Sequence, residues 1–282
     1  MEDLLFELKK PEYSYMFGFM QTDGHLQSNT RNRGRMSVEL DEKDIFILQK
    51  FKELITVNSS LSTRNRDTNF KKQSISSVLT ICNKSFRDTI NYYGIPYGKK
   101  SNIIKPSLFE YSEFDYWRGI IDGDGSVGFT KENFPFISLV TASKELSDAF
   151  CEFVFRITGF NIKVNKNKRD EVYNITVFKE KCQLLISKLY YKNCLSLPRK
   201  YKISEKILNW IRPDSMKLRE IPFEDWVKKD IDFLVSHSVE QCLLKFKNIR
   251  SENSIKLKRA RERKKIINKG IEVKKFKKSI KL

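Results

Sequence analysis

One ten-residue pattern occurs twice in this chain, and its spacing limits what the rest can fold into. Tyr15-Met16-Phe17-Gly18-Phe19-Met20-Gln21-Thr22-Asp23-Gly24 is matched by Tyr116-Trp117-Arg118-Gly119-Ile120-Ile121-Asp122-Gly123-Asp124-Gly125. Gly18 aligns with Gly119, Asp23 with Asp124 and Gly24 with Gly125, each offset by 101 residues. A period that long is the size of a domain rather than of a solenoid unit. The repeat divides the chain into a first half over 1–104 and a second over 105–212.

The stretches C-terminal to the two copies are also alike. After Gly24 come an Arg-rich turn, an alternating stretch Met36–Leu40 and a helical pattern of Ile45, Leu48, Phe51 and Ile55. A second hairpin is expected from Leu61 to Ile81, and a short helix from Lys84 to Tyr93 ends at Gly94. The second half repeats the order: a hairpin over Val127–Thr141 and a helix over Lys144–Thr158 stopped by Gly159. Strands at 162–164 and Val172–Phe178 flank a turn at Asn165–Glu171, and a last helix spans Lys181–Tyr191. Each half is thus αββαββα, an α+β arrangement of antiparallel sheet covered by helices.

The charge is unevenly placed. Of a formal net +19, residues 241–282 hold 16 Lys and Arg against three Glu, which leaves only +6 for the first 240 residues. A basic appendage behind a nearly balanced body points to a polyanion, and nucleic acid is favoured over an anionic membrane because the tail lacks an aromatic and Leu-rich face. With 40% hydrophobic residues the chain can build a core, which excludes disorder along its length. No apolar run reaches the length of a membrane span. Met1-Glu2-Asp3 lacks the basic start of a signal peptide, so an intracellular protein with access to DNA is expected. Five scattered cysteines without a CxxC pair, and only two histidines, argue against a disulfide framework or a zinc site.

The repeated acids carry the chemistry. Pro11 suits the first turn of a helix, and Ser112 with Asp115 suggests a capping box at the second start. Gly24 and Gly125 stand where a left-handed residue would end each helix. Asp23 and Asp124 therefore fall at helix C-termini, where the macrodipole disfavours a carboxylate by roughly 0.3–1 kcal/mol. Placing an acid there twice calls for a divalent cation, and oxygen ligands suit Mg²⁺. Gly18 and Gly119 cost about 1 kcal/mol each in mid-helix. Close packing of two crossing helices would repay that and bring Asp23 and Asp124 together. An EF-hand over Asp122–Ser126 is excluded, because Val127 and Asn133 stand where that loop requires Gly and Glu.

The two ten-residue copies resemble the signature motifs of LAGLIDADG homing endonucleases in their single-chain, two-motif form. The second copy is the closer match; the first has Gln21 where the inner acid is usual. The resemblance covers about residues 10–205. It implies a pseudo-twofold saddle whose two antiparallel sheets lie in the DNA major groove, with the motif helices crossing over the minor groove. It also implies that Asp23 and Asp124 bind metal and each direct cleavage of one strand, leaving short 3′ overhangs. The carbonyls of Thr22 and Gly123 would be further ligands. The implied cofactor is Mg²⁺ or Mn²⁺, with Ca²⁺ as a non-cleaving substitute, and the implied partner is double-stranded DNA with a long, weakly symmetric site, bound by a monomer.

A cation beside each centre would offset charge building on the phosphate. Lys100 and Lys200, offset by 100, are the candidates. Candidate DNA contacts on the hairpins and their turns are Arg31, Arg33, Arg35, Arg64, Arg66, Lys71, Lys131, Lys163, Lys166 and Lys168. His25, beside the first Asp-Gly, is read as the start of a hairpin.

Past residue 212 three short helices are expected within 223–263: Glu224–Ser236, a second capped by Ser238 and a third capped by Ser251. The third would expose Lys256, Lys258, Arg259 and Arg261, and the group resembles a helix-turn-helix of the Myb-like class. The basic tail, 264–282, is expected to stay unpacked until bound. These features together read as a site-specific, metal-dependent DNA endonuclease. The alternatives are an RNA-binding intron maturase of the same fold, with intron RNA as partner, and a non-cleaving DNA-binding regulator.

Overall fold

The computed structural model describes residues 6–27, 34–66, 74–162, 164–167, 169–213, 226–246 and 249–279. Its first unit ends at Ile211, and its second begins at Arg212.

The first unit is built twice over. In the first half, helix α1 (Pro11–Asp23) leads into β1 (Gly24–Leu26) and β2 (Met36–Asp41). A 3-10 turn at Glu42–Asp44 enters α2 (Ile45–Leu54), followed by β3 (Ser59–Arg66), β4 (Ser74–Ile81) and α3 (Lys84–Tyr93). The second half runs α4 (Glu113–Asp124), β5 (Gly125–Phe129), β6 (Pro135–Thr141), α5 (Lys144–Thr158), β7 (Asn165–Lys166), β8 (Tyr173–Phe178) and α6 (Lys179–Leu189). The sheets have equivalent antiparallel orders, β1-β2-β4-β3 and β5-β6-β8-β7. The αββαββα pattern expected of each half is therefore present.

Local chemistry sets the element ends. Pro11 opens α1. The Asn83 side chain accepts from the Phe86 amide at 2.8 Å to cap α3, and Ser143 accepts from Leu146 to cap α5. Gly159 ends α5 in the left-handed region at φ 65°. One face of each sheet is apolar: Ile137, Leu139, Ile175 and Val177 alternate with more exposed neighbours and join the helices in one core.

Several expectations need correction. Strand β7 begins at Asn165, inside the stretch read as a turn. A helix unread in the sequence, α7 (Pro198–Leu208), follows α6; Pro198 starts it as Pro11 starts α1. Gly24 and Gly125 are extended, not left-handed, with φ of −80° and −93°. They are glycines because a side chain has no room: a Cβ on Gly125 would lie 2.8 Å from the Ser138 carbonyl oxygen. Each helix thus passes straight into a strand. Ser112 makes no side-chain bond to an amide of α4; its hydroxyl donates to the Asp115 carboxylate, which also pairs with buried Arg118.

The second unit contains α8 (Lys228–Ser236), α9 (Val239–Phe246) and α10 (Glu252–Ser279). Leu234, Cys242, Phe246 and Ile255 form its small core, with Trp226 and Phe233 against it. Ser238 and Gln241 cap α9 reciprocally, at 3.2 and 3.0 Å. Helix α8 starts at Lys228 rather than Glu224, whose position lies outside the described residues. Helix α10 continues through most of the tail expected to be unpacked.

Candidate active site

Helices α1 and α4 cross at their glycines. A Cβ on Gly18 would fall inside the Tyr116 carbonyl oxygen, and one on Gly119 would fall inside the Tyr15 carbonyl oxygen and 2.9 Å from the Phe19 nitrogen. The mid-helix glycines thus allow backbone to touch backbone, as their cost in propensity suggested. Because the crossing is near-symmetric, Asp23 and Asp124, the last residues of the two helices, lie close enough for the charge of the second to act on the first. A Cβ placed on Gly123 would be 3.5 Å from Asp23 Oδ2, so the first acid lies over the end of the second helix.

The pair is electrostatically uncomfortable. Removal from water, and then the Asp124 carboxylate, push the Asp23 carboxyl up to about 6. Asp124, open to solvent at its rim, is also pushed up by desolvation. Lys100 and Lys200 draw both acids back towards the ionised form. Both lysines are buried, with ammonium pKa values held down to about 8 by loss of solvent.

Each lysine is held by the carbonyls of a helix end. Lys100 Nζ donates to the Gln21 carbonyl and, at 2.6 Å, to that of Thr22. Lys200 Nζ donates to the carbonyls of Ile121 at 2.6 Å, Asp122 at 2.8 Å and Gly125 at 2.8 Å. These cations add donors to carbonyls at the helix C-termini, of which Ile121 also accepts the Gly125 amide, and offset the negative dipole end beside each acid. One lone pair of the Thr22 oxygen is thereby used. Arg199, beside Lys200, adds a third cation whose field reaches Asp23. It pairs with Asp44 of the first half at 3.1 Å. Sequence reasoning missed Arg199, which has only a lysine, Lys99, at the matching place in the first half.

Two oxygen donors of like charge suit a hard divalent cation. Among the described residues no cluster of three or more His, Cys, Asp and Glu side chains forms a metal site. A metal held by Asp23 and Asp124 would complete its shell with carbonyls, water and substrate phosphate, as Mg²⁺ commonly does. The residues present fit that ion.

The inner motif position is structural. The buried Asp122 carboxylate accepts from Tyr15 at 2.7 Å, Tyr190 at 2.6 Å and the Leu197 amide at 2.7 Å. Its counterpart Gln21 donates to the carbonyls of Gly94 at 3.1 Å and Lys105 at 2.9 Å, while accepting from Tyr116 at 2.7 Å.

The remaining candidates are dispersed. Arg35 is exposed beside β2, and Arg64 is exposed on β3, 4.0 Å from Glu39. Arg66 ends β3, Lys131 is exposed in the β5–β6 turn, and Lys166 lies over the Tyr173 ring. Arg31, Arg33, Lys71, Lys163 and Lys168 lie outside the described residues. On α10, Lys256 pairs with Glu252, and Lys258 with Glu262 at 3.1 Å. Arg259 turns inward to the His237 carbonyl at 2.7 Å, and Arg261 is exposed.

Two αββαββα halves joined through paired motif helices, with an acid at each helix end, define the fold of the LAGLIDADG homing endonucleases, and this chain has that fold. It is similar to the solved structure of the homing endonuclease I-WcaI bound to its DNA recognition sequence. The likeness covers 70% of this chain and 87% of that one, at 18% identity and a TM-score of 0.51. The LAGLIDADG homing endonuclease I-GzeII in complex with its DNA target aligns over 71% of this chain and 89% of that one, at 13% identity and a TM-score of 0.46. The chain matches no protein-family model and no curated protein. Among the described residues no helix is long and apolar enough to cross a membrane.

Proposed function

We propose that this chain is a site-specific DNA endonuclease of the homing type, which cuts both strands of a long duplex site with the help of Mg²⁺ or Mn²⁺. The observation that carries the reading is the pairing of Asp23 and Asp124 at the ends of two crossed helices, with a buried lysine beside each. A fold alone has little use for two like charges brought together and partly desolvated, so a non-cleaving regulator is the poorer account. The homing endonuclease I-WcaI, which is similar in fold, was solved on its DNA recognition sequence, and this supports duplex DNA as the partner.

Asp23 and Asp124 would hold the divalent ion between the helix ends. When bound, such an ion activates water and neutralises charge on the scissile phosphate. Lys100 and Lys200, fixed by carbonyls, keep a positive charge beside each centre as the phosphate gains negative charge. The carbonyls of Thr22, which Lys100 also holds, and Gly123 would be further oxygen donors to the ion. Outward residues of the two sheets, with the basic hairpin turns, would lie against the duplex. The basic second unit would add phosphate contacts, with Arg261 and Lys256 better placed for this than the inward Arg259.

The test is incubation with a randomised duplex library in Mg²⁺, beside EDTA, followed by sequencing of the ends. Discrete Mg²⁺-dependent ends with short 3′ overhangs are expected. Salt-sensitive selection of bound DNA without any cutting would overturn the nuclease reading in favour of a regulator or a maturase.

A further inference from the structure

The two sheets present chemically different faces away from the helices. On the first, His25, Glu39, Asp41, Ser60, Ser62 and Arg64 are partly or well exposed. Glu39 accepts from Ser76 at 2.7 Å and lies 4.0 Å from Arg64. This face is rich in donors and acceptors. The strands of the second sheet contain no carboxylate and one cation, Lys166.

Alternation fixes what the second face carries instead. Buried Ile137, Leu139, Ile175 and Val177 point to the helices, so Phe136, Ser138, Val140, Asn174, Thr176 and Phe178 point away. Val140 is 41% exposed and Phe178 46% exposed. Phe136 and Phe178 are directly paired across β6 and β8, with ring centroids 6.4 Å apart. A Cβ on Gly128 would be 3.3 Å from Phe136 Cε1, so the Phe136 ring leans over the bare backbone of Gly128 on that face. The middle row, Ser126, Ser138 and Thr176, supplies hydroxyls.

We infer that the second sheet selects its half of the DNA site through thymine methyl groups, contacted by Val140 nearer the cleavage centre and by Phe136 and Phe178 farther out. This rests on the reading that the chain binds duplex DNA along its sheets. In the major groove the thymine C5-methyl is the apolar feature of the base edges, and Phe is among the side chains that contact it, whereas charged and amide groups read hydrogen bonds. On the second sheet Phe136, Val140 and Phe178 match the former, while Glu39, Asp41 and Arg64 on the first sheet match the latter. Val140 follows Leu139, the register partner of Gly125, so it stands beside Asp124 in the chain's path. Phe136 lies four residues back along β6. That separation is about 13 Å on a strand, or about four base pairs at 3.4 Å each. Two thymine-bearing positions about four pairs apart are therefore expected in one half-site and not required in the other.

The test removes only methyl groups. The site selected by the wild-type protein is remade with 2′-deoxyuridine for thymidine in one half-site at a time, and binding is measured in Ca²⁺. The half-site under the second sheet is the one whose sequence selection is lost in a Phe136→Ser/Val140→Ser/Phe178→Ser variant. That variant is first checked for unchanged circular dichroism and unchanged salt-dependent binding to non-specific duplex. Affinity is expected to fall about fourfold per methyl removed in that half-site alone, and the penalty should vanish in the variant. Equal losses in the two half-sites, no loss, or a penalty persisting in the variant would overturn the inference while the endonuclease reading stood. If the wild-type protein selected and cut no site at all, the endonuclease reading would fall, and this inference with it.

Discussion

The Tyr116 phenol on the second motif helix donates to Gln21 on the first at 2.7 Å, and Tyr15 makes the equivalent bond from the first helix to Asp122 on the second, also at 2.7 Å. The two bonds are related by the internal repeat, yet their acceptors differ. Gln21 faces the carbonyls of Gly94 and Lys105 and needs an N–H to offer them. Asp122 faces the Leu197 amide and the Tyr190 hydroxyl and needs only lone pairs. The departure of the first motif from the second is thus set by what each buried side chain must satisfy. Gln21→Glu would bring a carboxylate against two carbonyls and should lower stability by about 2–4 kcal/mol, measured by urea unfolding. A change below about 0.5 kcal/mol would show that those amide bonds are not needed.

Gly18→Ala and Gly119→Ala each add one methyl group where the opposite backbone already sits. Helix propensity alone predicts a gain of about 1 kcal/mol. Overpacking at backbone that cannot move should outweigh it, with a net loss of at least about 2 kcal/mol. The thermal midpoint decides between the two signs.

Folding raises the Asp23 carboxyl from 3.8 to about 6. Between those values the folded, metal-free protein holds a proton that the unfolded chain has released. The stability contributed by this group is therefore full below about pH 4 and is lost as pH climbs through 6. Asp23→Asn removes that dependence, so the metal-free variant should melt above the wild type at about pH 7.5 and lose the advantage at about pH 4. Added Mg²⁺ should raise the wild-type midpoint and leave the variant's nearly unchanged. Calorimetry at both pH values, with and without the metal, checks both statements.

Lys200→Met leaves the carbonyls of Ile121, Asp122 and Gly125 without their shared donor. A loss of about 2–4 kcal/mol in stability is expected, together with cleavage slowed by at least about 100-fold. If only the stability changed, with cleavage intact at a temperature where the variant is folded, Lys200 would be a structural cap alone.

A chain ending at Ile211 omits the basic second unit. It should bind duplex DNA more weakly and with a shallower dependence on salt, since fewer phosphates are neutralised. Titrations at several salt concentrations give the slope; an unchanged slope would take the second unit off the DNA.

The repeat made the halves legible because two constraints coincided in ten residues: glycines that no helix would choose, and acids at the wrong end of a helix dipole. From these the crossing at Gly18 and Gly119 and the position of Asp23 and Asp124 at the helix ends could be read. Lys100 and Lys200 could be picked by their offset, but not their burial or the carbonyls that hold them, which depend on distant chain. Helix α7 stayed hidden because Pro198-Arg199-Lys200-Tyr201 looks like a surface turn when its packing partners are unknown. Gly24 and Gly125 were legible as glycines and illegible in reason: steric exclusion by neighbouring strand and helix atoms, not a left-handed backbone, requires them.

The most direct test of the central claim is cleavage by the single-acid variants on the site that the wild-type protein selects. Asp23→Asn and Asp124→Asn should each lose double-strand cutting in Mg²⁺ while binding the same DNA with affinity within a few-fold of wild type in Ca²⁺. Full double-strand cutting by either variant would contradict the account, because the remaining helix end would then suffice for both strands.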